Sequence, residues 1–257
     1  MSDEEMKRCP FCDEEIRVKA VICKYCHQWL PGYTYESAIR DLVIRKQVTE
    51  RTLIDVPKGL SREDQLKIAR TWAKNGRQGS LKGFDLSVQD LSGVDLSGAD
   101  LRGANFSEAD LNGANLSEAD LRKANLFRAN LRTANLKQAR LHEAYLREAM
   151  LEYVDLSSSK LPNANLRGAL LNHAILYRVD LDGVNLRGAD LRDCNLRESY
   201  LKGTNLNGTK TEGMVLKGAL LLGADLTDSD LTSFQYKQAH TLEGSILPDG
   251  QPFVASE

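Results

Sequence analysis

From residue 81 the chain repeats every five residues, as LKGFD LSVQD LSGVD LSGAD LRGAN FSEAD LNGAN LSEAD LRKAN, and holds that register to Leu231. The leading position is Leu in nearly every unit; Phe106 substitutes once and Thr211 is the polar exception. Two residues before each Leu stands a small residue, usually Ala, with Asp or Asn between them. A period of five fits neither an α-helix at 3.6 nor a straight strand at 2. On a helix the leucines would spiral over every face, and on a strand each unit would invert the next. Within one unit, however, Ala–Asp–Leu alternates in, out, in, as a short strand does. A bend between units restores the inward direction, and four bends close a square coil. Stacked coils pair their backbones at about 4.8 Å, so the run to Leu231 predicts about eight coils and a rod of roughly 37 Å. Such a stack is quasi-one-dimensional and needs a cap at each end.

Composition agrees with a regular interior. Hydrophobic residues make up 42% of the chain but aromatics only 6%, with Leu and Ala dominating. The formal net charge of −2 sets up no global field toward nucleic acid or an anionic membrane. No stretch approaches the ~18 uninterrupted apolar residues of a membrane span, and the polar start MSDEEMKRCPFC has no signal-peptide core.

The A(D/N)LXX pattern over residues 79–236 resembles the pentapeptide-repeat family. That resemblance implies an all-β solenoid, the right-handed quadrilateral β-helix of pentapeptide repeats. Some members of the family mimic duplex DNA and protect or inhibit DNA gyrase, a topoisomerase. This chain departs from a uniformly acidic rod, because from residue 81 onward it carries 24 acidic against 19 basic residues. Acids dominate from Asp85 to Asp120, whereas Arg122, Lys123, Arg128, Arg132, Lys137, Arg140 and Arg147 follow in a basic stretch. Arg147, Arg167 and Arg187 fall twenty apart and should stack, an unfavourable ladder unless anions or partner carboxylates screen it.

Residues 31–78 read as a helical connector and N-terminal cap. Within them SREDQLKIARTWAKN (61–75) predicts an amphipathic helix, with Ser61 and Asp64 at capping-box positions and Trp72 as the anchor on the first coil. ESAIRDLVIRKQVTERTLI (36–54) is a second candidate helix. At the far end, residues 237–257 read as a C-terminal cap and mobile tail, the repeat decaying through Phe234, Tyr236 and Ile246.

Residues 1–30 carry a different chemistry. Cys9-Pro-Phe-Cys12 and Cys23-Lys-Tyr-Cys26 give CxxC, ten residues, CxxC. Each pair forms a knuckle presenting two thiolates to one ion, and two knuckles complete a tetrahedron, so Cys9, Cys12, Cys23 and Cys26 are expected to hold one structural Zn2+. So short a segment would fold largely on metal binding. The stretch is similar to short bacterial zinc ribbons, with His27 where those have Gly. His27 replacing one cysteine, or iron in the same knuckles, are the alternatives. Thiolates kept for metal point to a reducing compartment, and the expectation is a cytoplasmic bacterial protein. Lys24, Tyr25 and Trp29 form a small basic-aromatic group of the kind used on nucleic acid or protein, read here as a protein contact or as pure structure.

The Asp/Asn row should face solvent, yet it turns apolar at Tyr145, Met150, Leu170, Ile175, Val215, Tyr200 and Leu220. Counting by twenties stacks Met150 on Leu170, Tyr200 on Leu220, and Tyr153 on His173. Tyr145, Met150, Tyr153, Leu170, His173, Ile175, Tyr200 and Leu220 are therefore the candidate contact residues for a protein partner or a homodimer. Drift in a tolerant repeat is the alternative. No GxSxG, Walker A, HExxH or dinucleotide fingerprint is present. His142, His173 and His240 have no nucleophile that the spacing brings near, and Cys194 falls in the inward small slot. The expectation is a non-enzymatic protein-interaction scaffold; direct binding to nucleic acid or membrane is not expected.

Overall fold

The computed structural model describes residues 6–8, 15–17, 60–77 and 79–254. The chain divides into two compact units, Met1–Asp55 and Val56–Glu257. Of the connector expected over 31–78, residues 60–77 are described. In the first unit β1 (Met6–Arg8) pairs antiparallel with β2 (Glu15–Arg17), Arg8 opposite Glu15. Cys9, Cys12, Cys23 and Cys26 lie outside the described residues, as do Lys24, Tyr25, His27, Trp29 and the candidate helix over 36–54.

The second unit is built from one turn used again and again. In every repeat from 81 to 230 but that of 86–90, the amide of the fourth residue donates to the carbonyl of the leading residue, as from Phe84 to Leu81 (3.2 Å) and from Ala99 to Leu96 (3.1 Å). The third residue has positive φ at every turn from Gly83 to Asp228. A positive φ at the third of four residues is the signature of a type II turn. Glycine takes that conformation freely at Gly83, but Glu118, Tyr153 and His173 take it too, at a cost of roughly 1 kcal/mol or more each. This bend returns the next Leu to the interior.

Coils join through parallel bridges between residues twenty apart, Asp85 to Asn105 and Asn105 to Asn125 among them. In the ladder, Leu81 donates to the Asp100 carbonyl (2.9 Å) and Asn105 to the Phe84 carbonyl (2.8 Å). Four walls result. The first carries Asp85, Asn105, Asn125 and Tyr145; the second Asp90, Asp110, Asn130, Met150 and Leu170; the third Asp95, Asn115, Asp155 and Ile175; the fourth Asp100, Asp120, Arg140, Tyr200 and Leu220.

The Leu and Ala rows are buried throughout, each leucine contributing about 1.5–3 kcal/mol. Where a hydroxyl takes the alanine slot it finds a carbonyl: Ser159 donates to Leu156 (2.6 Å) and Thr204 to Leu181 (2.8 Å). Cys194 behaves likewise, its Sγ 2.9 Å from the Leu171 carbonyl, and burial pushes its thiol pKa up to about 12. It is a core residue. Thr211, also buried, donates to Asp230 at 2.6 Å.

Both ends are closed. Helix α1 (Arg62–Thr71) starts from the Ser61–Asp64 capping box, with Ala69 and the C-cap Trp72 buried in the same core as the leucines. Its neighbourhood serves every wall of the first coil. Gln65 Oε1 accepts from the Asp85 amide (2.7 Å), Arg70 donates to the Asp90 carbonyl (2.7 Å), Arg77 pairs with Asp95 (2.7 Å), and Ser80 donates to Asp100 (2.9 Å). These groups replace the missing coil before the first.

At the other end the four-residue α2 (Ser233–Tyr236), capped by Thr232, inserts into the coil and slips the register by one residue: Leu220 bridges Thr241 and Asp225 bridges Ile246. Of the segment from Gly250 expected to be mobile, residues 250–254 are described. Pro252 bridges Ile246, and the Phe253 amide donates to the Ser245 carbonyl at 2.8 Å. Among the described residues no helix is long and apolar enough to cross a membrane.

Candidate interaction site

The outward slot has a job in the fold. Where it holds Asp or Asn, the side chain accepts from the amide two residues on, as Asp95 does from Ser97 (3.0 Å) and Asn185 from Arg187 (3.1 Å). This Asx-type bond steadies the type II turn that follows. Where Asp fills the slot, arginine at that second position adds a bidentate grip, as Arg102, Arg122 and Arg192 do. The Arg102 guanidinium, helped by the Ser80 hydroxyl, holds the Asp100 pKa down at about 2, and Arg192 holds Asp190 below the usual carboxylate range. Burial opposes the charge on Asp120, but Arg122 keeps its pKa low as well.

Met150, Leu170 and Ile175 cannot perform this job. The amides of Glu152, Asn172 and Tyr177, two residues after them, donate to no such side chain among the described residues. The structure brings Met150 and Leu170 together on the second wall, with Ile175 on the third. Tyr153 and His173 occupy the corner between those walls, their rings stacked with centroids 4.8 Å apart and 11° between planes. Leu170, Ile175 and Tyr153 are 38%, 42% and 59% exposed. The columns turn polar above and below, at Asn130 and Asp190, Thr133 and Asp193, and Asp155 and Asn195. The five residues thus make one apolar island two coils tall.

Three of the other candidates do not join it. Tyr145 sits on the first wall and is 1% exposed, its ring stacked near Phe127 (6.0 Å). Its side chain folds along the wall rather than standing out, as Tyr200 does in the same slot at 50% exposure, so Tyr145 belongs to the packing and not to a contact surface. Tyr200 and Leu220 stack as expected, but on the fourth wall, across the coil from Met150. They border a shallow open recess with Ser158, Arg178, Glu198 and His240. Its charges answer one another: Arg178 Nε meets Glu198 at 2.7 Å, and the Tyr177 hydroxyl donates to the same carboxylate at 3.2 Å.

The borders of the island are charged unevenly. Glu148 is held by Arg128 (2.8 Å) and Arg147 (2.9 Å), Glu152 by Arg132 (2.7 Å), Asp155 by Lys137 (3.0 Å) and Asp190 by Arg192 (2.6 Å). Asp193 lies 3.6 Å from His173 Nδ1. Arg167 and Arg187, on the corner leading into the second wall, have no ion pair among the described residues.

A closed solenoid with a filled interior and a patterned outer wall defines a repeat protein of the β-helical class. The pentapeptide-repeat family matches in eight copies over residues 90–128, 124–161, 151–188, 159–197 and 189–232. This chain belongs to the pentapeptide-repeat family, whose members fold as right-handed β-helices and are generally structural or interaction proteins. Among solved structures it is similar to HetL of the cyanobacterium Nostoc, a pentapeptide-repeat protein involved in heterocyst differentiation regulation. The two are 33% identical over 72% of this chain and 98% of HetL, with a TM-score of 0.36. QnrB1, a plasmid-mediated fluoroquinolone resistance protein, is 17% identical over 63% of this chain and 92% of its own, with a TM-score of 0.36. A pentapeptide-repeat protein from the Arabidopsis thaliana thylakoid lumen is 26% identical over 53% of this chain and 74% of its own, with a TM-score of 0.24. No curated protein matches the sequence.

Proposed function

We propose that this protein is a non-enzymatic scaffold that binds a protein partner through the island of Met150, Tyr153, Leu170, His173 and Ile175, and carries one structural zinc ion in its first unit. The observation that carries the contact is that each of these five residues is a poor local choice. Met150, Leu170 and Ile175 forgo the turn-steadying hydrogen bond, worth about 0.5–1.5 kcal/mol net. Tyr153 and His173 put rings at positive φ, where glycine is favoured. Sites that break local rules together, in one place, are where binding is expected. A second copy of the chain is the other occupant of interest.

The test is affinity capture from the source cell with the wild-type protein and with the Met150→Glu/Leu170→Glu double variant, beside sedimentation of both. Loss of specific partners, or of a dimer, in a variant whose circular dichroism is unchanged supports the reading. An identical set of partners and an identical mass sink it.

For the metal, support comes from the CxxC spacing and from the antiparallel β1–β2 pair, whose connecting segment contains Cys9 and Cys12. When bound, zinc would supply folding energy rather than catalysis. Elemental analysis of the purified chain should find zinc, and Cys12→Ser/Cys26→Ser should abolish it.

A second reading, modulation of a DNA topoisomerase by mimicry, draws on the first coils, where Asp90, Asp95, Asp100 and Asp120 all have pKa values held low and so stay charged. Inhibition of gyrase supercoiling at stoichiometric protein would favour it; no effect would leave the scaffold alone.

A further inference from the structure

We infer that the partner segment received by the island is acidic as well as apolar, with Arg167 and Arg187 taking its carboxylates. This rests on the contact proposed above and adds the chemistry of what fills it.

The argument begins with the ladder. Arg147, Arg167 and Arg187 follow one another at twenty-residue steps on the corner between the first and second walls. The coil spacing of about 4.8 Å stacks like charges at close range. Arg147 is neutralised from within by Glu148. Arg167 and Arg187 are not, and Arg187 is exposed. In the same neighbourhood Glu148, Glu152, Asp155 and Asp190 each already hold a cation. Among the described residues the border therefore has Arg167 and Arg187 without an ion pair, and Asp193, which faces His173, is its one carboxylate not already holding an arginine or lysine.

Leu170 follows Arg167 by three positions, and Gly168 and Gly188 between ladder and wall carry no side chain to separate a ligand from either. A segment lying along the second wall would thus meet an apolar row and a guanidinium row side by side. Arginine suits this role, since its planar fork takes a carboxylate bidentately. Nucleic acid is the less suitable occupant. Met150, Leu170 and Ile175 have nothing to offer a sugar–phosphate chain, and Glu148, Glu152, Asp155 and Asp193 would stand close to its phosphates.

The experiment uses the full chain and short fluorescein-labelled peptides made of Glu and Leu, of Lys and Leu, and of Glu and Ser, with a DNA duplex alongside, read by fluorescence anisotropy. The Glu–Leu peptide is expected to bind about tenfold or more tighter than either control peptide. Arg167→Glu/Arg187→Glu should remove that preference, whereas Lys202→Glu, on the far side of the coil, should not. Retention of binding by the Arg variant, with loss only in Met150→Glu/Leu170→Glu, overturns the acidic partner while leaving the apolar contact standing. Equal binding of the Lys–Leu peptide, preferential binding of the duplex, or no binding of the Glu–Leu peptide overturns it outright.

Discussion

The first coil and the island solve the same local problem in opposite ways. Around Asp85, Asp90, Asp95 and Asp100 the outward slot is saturated: each carboxylate accepts from the residue two ahead, and α1 with its flanks supplies the missing partners from outside. At Met150, Leu170 and Ile175 the slot gives up its bond and leaves apolar surface in water. Asp90 shares the second wall with Met150 and Leu170, and Asp95 the third with Ile175, so position around the coil cannot explain the contrast. The first region is arranged for folding and the second at its expense. A region that costs stability in a repeat able to avoid the cost is where selection for binding would show.

The largest effect should come from the capped end. Trp72 is 4% exposed and closes the leucine layer beneath α1. Trp72→Ala should cost about 3–5 kcal/mol of stability. Tyr153→Ala, removing a ring of similar bulk from the island, should stay within about 0.5 kcal/mol. Chemical denaturation of the two variants measures both. Equal losses would erase the distinction between a region that folds the chain and one that does not.

Acid should separate the regions next. Asp100 has its carboxyl pKa lowered from 3.8 to about 2 by Arg102 and Ser80. A carboxyl depressed in the folded state stabilises above its unfolded pKa and loses that contribution as pH falls through the folded value. The first coils, where Asp90, Asp95 and Asp120 shift in the same direction, should therefore loosen between about pH 4 and 2. The Leu170–Ile175 region, with no carboxylate in its slots, should follow only when the stack itself gives way. Hydrogen exchange across that window would show earlier opening of residues 81–121 than of residues 166–178; the reverse order would contradict the assignment.

Much of this was legible from the amino acids. The five-residue period places Leu and Ala inside, the step of twenty pairs Met150 with Leu170 and Tyr153 with His173, and the Ser61–Asp64 spacing marks the start of α1. The separation of Tyr200 and Leu220 from Met150 also follows from arithmetic, since they fall two units further around the coil. Other features needed coordinates. The type II turn is hinted at by glycine in the third position, but so many turns place Glu, Arg or Tyr there that composition hides the shared positive φ. The fate of Tyr145 depends on whether a long ring lies along the wall or stands away from it. The one-residue slip at α2 and the bridge of Pro252 to Ile246 arise where periodicity ends, so no repeat announces them.

The smallest effect is the most pointed. If Met150, Leu170 and Ile175 are held apolar by binding, returning them to the rule of the repeat should improve the fold. Asparagine at each position can accept from the amides of Glu152, Asn172 and Tyr177, adding roughly 0.5–1 kcal/mol apiece, while removing exposed apolar area. Because these are outward slots on a rigid ladder, no repacking of the leucine interior is required. The triple variant Met150→Asn/Leu170→Asn/Ile175→Asn should therefore melt higher than the natural chain and yet lose the Glu–Leu peptide. A variant that is destabilised would mean that the apolar row supports the stack. A variant that is stabilised and still binds would mean that the row is drift, with the contact carried elsewhere.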